Sequence, residues 1–126
     1  MPLETITSDR LAPPVGPFSQ AVRFGDLIFF SGQVAQDPAT GKLVEGGVEA
    51  EARQLFRNLA TLLETAGKSF GDVLMARVFL TRIADFAAVN AIYADQFEQP
   101  FPSRTTIGVA ALPLGASVEV ELLVAG

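Results

Sequence analysis

The sequence predicts an α+β fold in which one mixed β-sheet carries two helices on a single face. Three observations carry that expectation. The candidate elements run strands, helix, strand, helix, two strands, and a strand–helix–strand unit favours a right-handed crossover between parallel neighbours. One segment, Val48 to Ala66, has the 3, 4 apolar spacing of a long amphipathic helix. Charged residues are only 18% of the chain, against a usual share of about 25%. With both helices on one side, the other sheet face lacks cover, and so charge-poor a chain is expected to bury it against further subunits.

In chain order, Leu3 to Thr7 fits a short strand. Leu11-Ala12-Pro13-Pro14-Val15-Gly16-Pro17 is too rich in proline for helix or central strand and reads as an ordered surface arm that delivers Phe18-Ser19-Gln20. Ala21 to Phe24 and Leu27 to Val34 form a strand pair around the turn Gly25-Asp26. The second strand holds Leu27-Ile28-Phe29-Phe30 without alternation, as expected where both faces are covered. It stops at Ser31-Gly32-Gln33, where glycine leaves room for another backbone or a ligand. In the long helix, Ala52, Leu55, Phe56, Leu59, Leu62, Leu63 and Ala66 make a core stripe, and Gly67 supplies the stop. Val73 to Thr81 is a strand. Asp85 can cap a second helix, Phe86 to Phe97, with Phe86, Val89, Tyr93 and Phe97 inward and Pro100 ending it. The last two strands, beginning near Ser103 and Ser117, are expected to pair as a hairpin.

Length and composition narrow the function. The 126 residues suit a single domain, 1–126, able to remove roughly two-thirds of its unfolded surface from water. Nine basic and 14 acidic residues give a net charge of −5, with no basic run, which argues against a nucleic-acid surface. With no cysteine there is no disulfide, thiol nucleophile or thiolate metal site. With no histidine the usual general base and the commonest metal ligand are missing too. The opening Met1-Pro2-Leu3-Glu4 is no signal peptide and no apolar run is membrane-spanning, so a soluble cytoplasmic protein with no membrane partner is expected.

One stretch carries a candidate chemistry. Pro100 and Pro102 stiffen the approach to Ser103-Arg104-Thr105-Thr106-Ile107, so a rigid lead-in aims a guanidinium that can grip a carboxylate or phosphate with two parallel hydrogen bonds. Downstream, Ser117-Val118-Glu119-Val120-Glu121-Leu122 alternates, which puts Glu119 and Glu121 on one face. Taken alone, these residues favour a cross-strand Arg104–Glu121 ion pair over an active site.

Five motifs change that balance. Gly16-Pro17-Phe18-Ser19-Gln20-Ala21, Ser31-Gly32-Gln33, Val89-Asn90 with Tyr93, Phe101-Pro102-Ser103-Arg104 and Val118-Glu119-Val120 occur in this order. Together, from about Pro14 to Val124, the chain resembles the RidA/YjgF family of imine deaminases, many members of which bear the older label endoribonuclease L-PSP. The resemblance implies a chorismate-mutase-like domain and a homotrimer with sites between subunits. It implies that Arg104 grips the substrate carboxylate and Glu119 positions the attacking water. Phe18, Ser31, Gly32 and Thr106 would contact the substrate, and Asn90 would have a structural role. Phe18 stands where a tyrosine is frequent and Thr106 where a cysteine is frequent, departures that bear on substrate range.

The reaction so implied is hydrolysis of 2-aminoacrylate and related enamines and imines to 2-keto acids and ammonia. An imine carbon is already electrophilic, so the resemblance implies that neither a metal nor an organic cofactor is needed, and orientation and placed charge are what the protein must supply. Backbone N–H groups near Gly32 and Thr106 would stabilise the polar intermediate, with Phe18 as a cover. Glu121 would raise the Glu119 pKa and Arg104 would oppose it. Two alternatives remain at this level: an endoribonuclease, against which the acidic balance and the lack of histidine weigh, and a non-catalytic 2-keto-acid-binding regulator, which would have no use for Glu119.

Overall fold

A computed structural model describes residues 2–126. Its strands are β1 (Glu4–Ile6), β2 (Ala21–Phe24), β3 (Leu27–Phe30), β4 (Val73–Leu80), β5 (Ser103–Gly108) and β6 (Val118–Ala125). The helices are α1 (Gly47–Thr65) and α2 (Phe86–Ala94). One six-stranded sheet runs β1-β2-β3-β6-β4-β5. The β4–β5 pair, joined through α2, is parallel and every other pair is antiparallel.

The final hairpin is a correction to the sequence expectation, since β4 lies between β5 and β6. Composition explains the order. In β6, Val118, Val120, Leu122 and Val124 are all buried, which suits a central strand. Ser103, Arg104, Thr105 and Thr106 of β5 suit an edge, and the connection from Val109 to Ser117 steps across β4 to reach the middle.

Both helices cover one face. The α1 stripe Ala52, Leu55, Phe56, Leu59, Leu62 and Leu63 packs onto Ile28, Val78, Val120 and Val124. Gly67, at φ 73°, ends the helix with its N–H on the Glu64 carbonyl and that of Lys68 on Leu63. Asp85 does not cap α2 with its side chain: it closes a 3₁₀ turn, Ile83–Asp85, whose last N–H bonds to the Arg82 carbonyl. The helix is shorter than expected, ending at Ala94, though Phe97 is still buried. Among the described residues no helix is long and apolar enough to cross a membrane.

The opposite face carries Phe29 from β3, Met75, Arg77 and Phe79 from β4, and Glu119, Glu121 and Leu123 from β6, side by side in register. Phe29 is 45% exposed there. This explains the unbroken apolar run of β3: within one chain only Ile28 and Phe30 are covered. Arg77 and Glu121, directly opposite each other, form an ion pair at 3.0 Å. The expected Arg104–Glu121 pair is therefore absent, because the intervening strand supplies a nearer arginine.

Candidate active site

The first half of the site is built around Glu119. An isolated bridge joins the strand end to β6, the Gln33 N–H donating to the Val120 carbonyl at 2.8 Å and the Val120 N–H to Gln33 at 3.1 Å. This lays Gly32 directly against the Glu119 side chain. A Cβ at residue 32 would lie 2.7 Å from Glu119 Oε2, so only glycine leaves the carboxylate where it is. Phe18, Gly32 and Glu119 share a cleft of about 90 Å³ whose other walls include Val15, Pro113 and Leu114. Burial first, and the neighbouring Glu121 charge second, push the Glu119 carboxyl above its ordinary value. Arg104 is not among the charges acting on it.

Ser31 serves this half indirectly. Its hydroxyl donates to the Ser19 carbonyl at 2.6 Å, fixing the segment that presents Phe18, and it does not line the cleft. Gln20, buried beside it, accepts from the Ser8 N–H at 2.6 Å and ties down the arm.

The second half surrounds Arg104. Its register with Ala76 puts it on the helix-covered face, where Nη1 donates to Asn90 Oδ1 at 2.7 Å. The guanidinium lies 4.7 Å from the Tyr93 ring centroid and 5.5 Å from that of Phe86. Among the described residues no carboxylate pairs with it. Asn90 occupies one nitrogen, so a charged fork with free donors faces a crevice that Thr106 also lines. On its outer side a cleft of about 410 Å³ runs past Ala94, Phe101 and Pro102.

The two halves do not meet within the chain. Arg104, Asn90 and Thr106 face α2, whereas Glu119 lies on the open side with Gly32 and Phe18, so the sheet stands between them. No group of three or more His, Cys, Asp or Glu side chains among the described residues could hold a metal ion.

The endoribonuclease L-PSP family model matches residues 8–125, nearly the whole chain. The 2-iminobutanoate/2-iminopropanoate deaminase of Capra hircus is 44% identical over 118 residues, covering 94% of this chain and 86% of its own length. The chain belongs to this family. Its RidA/YjgF members include solved structures of the same architecture. RidA from an Antarctic Psychrobacter superposes with a TM-score of 0.93 at 40% identity, over 98% of this chain and 99% of that one. Escherichia coli TdcF, solved with bound serine, gives 0.90 at 32% identity over 98% of each chain.

Two features of this family member escaped sequence reading. The Asn90–Tyr93–Phe86 cradle of Arg104 needs the packing of α2 on β5, which no spacing in either element reveals. Leu114, on the rim of the Glu119 cleft, has φ 60° and ψ 16°, a left-handed conformation that costs a non-glycine residue about 1–2 kcal/mol. The Pro113-Leu114-Gly115 sequence signals a turn there, not which residue bears the strain.

Proposed function

We propose that the protein is a cofactor-independent imine deaminase, hydrolysing 2-imino acids and enamines of the 2-aminoacrylate type to 2-keto acids and ammonia. In this reading it works as a chorismate-mutase-like homotrimer with its sites between subunits. The observation that carries the reading is the pair of half-sites on opposite faces of one sheet. An arginine with free donors and a carboxylate in a sheltered cleft are each incomplete alone, and juxtaposing two copies unites them. The uncovered face bearing Phe29, Met75 and Leu123 gives the copies an apolar surface to share. The names of the relatives support the same activity.

In the reaction, Arg104 receives the substrate carboxylate with the fork that Asn90 and Tyr93 hold flat. Glu119 orients water and takes its proton as oxygen attacks the imine carbon. The C=N π electrons move to nitrogen, giving a tetrahedral carbinolamine after protonation. A second proton transfer from oxygen to nitrogen, relayed by Glu119, lets the C–N bond break, releasing ammonia and leaving the keto group. A carboxyl raised above its ordinary value is suited to both directions of transfer. Phe18 shields the cleft from bulk water.

The test supplies imines in situ with an amino-acid oxidase and follows ammonia and keto acid. Turnover lost in both Arg104→Lys and Glu119→Gln supports the mechanism. Keto-acid binding without turnover in the parent protein would make it a sensor, and cleavage of RNA by a homogeneous preparation would restore the older label.

A further inference from the structure

The inner face of α1 is apolar except at two buried polar side chains, Glu51 and Asn58, 5% and 3% exposed. Residues seven apart on a helix lie on the same side two turns apart. Glu51 holds the backbone two residues before Glu119, and Asn58 holds Gln36, which lines the Glu119 cleft. Glu51 Oε1 accepts the Ser117 N–H at 2.8 Å, and Asn58 Nδ2 donates to the Gln36 carbonyl at 2.8 Å. Gln54 Nε2 in turn donates to Asn58 Oδ1 at 2.8 Å, holding the amide in place.

The two contacts fall at informative points. Ser117 joins the strained turn at Leu114 to β6, two residues before Glu119, and its carbonyl is taken by the Thr81 N–H at 3.2 Å. With the amide on Glu51 and the carbonyl on Thr81, just past the end of β4, the Ser117 backbone is held from both sides. Gln36 closes the segment that begins at Gly32, and lines the same cleft. Nothing else in α1 needs a carboxylate at residue 51: a buried acid is costly unless hydrogen-bonded, and the bond it makes is to the backbone that aims Glu119.

We propose that Glu51 is a positioning residue for the Glu119 carboxylate, anchoring the start of β6 that carries it, while Asn58 secures the cleft wall at Gln36. The assignment rests on the role given to Glu119 above. It separates the two half-sites, because Arg104 is held by α2 and takes nothing from α1 residue 51. Loosening Ser117 should therefore lower kcat and leave KM for a carboxylate substrate nearly unchanged.

The experiment compares Glu51→Ala with Glu51→Gln, whose side-chain oxygen can still accept the Ser117 N–H. Two readouts are taken: kcat and KM for an imine, and titration of the Glu119 carboxyl by carbon NMR. In Glu51→Ala, kcat should fall at least about tenfold with KM within about twofold, and Glu119 should titrate closer to an ordinary glutamate. Glu51→Gln should restore both. Should Glu51→Ala fail to fold, Glu51→Asp keeps the charge and shortens the reach, giving the same comparison. A folded Ala or Asp variant in which Glu119 titrates as in the parent overturns the proposal, whatever happens to turnover. The NMR readout needs no deaminase activity, so failure of the functional assignment would be seen separately, as a parent protein that turns over no imine.

Discussion

Replacing Gly32 by alanine should separate catalysis from stability. An alanine Cβ would lie 2.7 Å from Oε2, 2.8 Å from Cδ and 3.2 Å from Cγ of Glu119. Ordinary contact begins at 3.4 Å, so the carboxylate has to retreat by about 0.7 Å, more than the ~0.5 Å within which a catalytic group must be held. A misplacement of this size costs up to about 100-fold in rate, and kcat should fall about 10- to 100-fold. Stability should barely move. Gly32 is not in the left-handed region, so alanine is compatible with its backbone and gains about 0.4–1 kcal/mol by restricting the unfolded chain. Overpacking costs about 1–3 kcal/mol in a rigid core, and here the displaced group is the free end of a flexible side chain, which places the cost at the low end. The melting temperature should stay within about 4 °C of the parent. Ammonia release from an in-situ imine, a melting curve and the Glu119 titration complete the assay. A Gly32→Ala protein with parental kcat and parental Glu119 titration would refute the reasoning.

Arg104→Lys keeps the charge and loses the two-pronged grip, with an expected loss of about 10- to 150-fold in kcat/KM; full activity would leave Arg104 without a substrate contact. Glu119→Gln should lower turnover by about 10²–10⁴-fold while keto-acid affinity survives or tightens, as calorimetry would show. Because the Glu119 carboxyl is raised in the folded state, the stability linked to its protonated form is complete below the ordinary glutamate value and is lost as pH rises through the raised one. Glu119→Gln should therefore melt no lower than the parent at neutral pH, and the acid limb of the kcat profile should lie above an ordinary carboxylate pKa. Tyr93 is buried, and among the described residues its hydroxyl has no hydrogen-bond partner. Tyr93→Phe should thus be neutral or stabilising by melting temperature, and a loss above about 1 kcal/mol would reveal a partner.

The elements of the fold were legible because their signals are local. The α1 stripe and its Gly67 stop, and the alternation of β6, each follow from a period of 3.6 or 2 read within one segment. Strand order was not legible. The polar β5 and apolar β6 are neighbours in sequence, and only competition among all six strands for the centre of the sheet moves β4 between them. The same displacement decided the ion pairs: Glu121 takes Arg77, and Arg104 turns to the other face. Gly32 could be singled out from its place at a strand end, but that its missing side chain is what accommodates Glu119 required the Gln33–Val120 bridge. Buried polar anchors such as Glu51 leave no trace in an amphipathic pattern, where they read as ordinary interruptions of the apolar stripe.

That the sheet separates Arg104 from Glu119 has a consequence for mixtures of defective chains. If each cleft joins the arginine of one copy to the glutamate of the next, a chain lacking one group can lend the other. Co-folding equal amounts of Arg104→Lys and Glu119→Gln proteins would then place an intact arginine opposite an intact glutamate in about a quarter of the clefts. Two preparations that are each nearly inert would regain activity on mixing, provided the copies exchange. The heritable unit of function would be a contact between neighbours, and a damaging change at either residue could be masked by a partner carrying damage at the other.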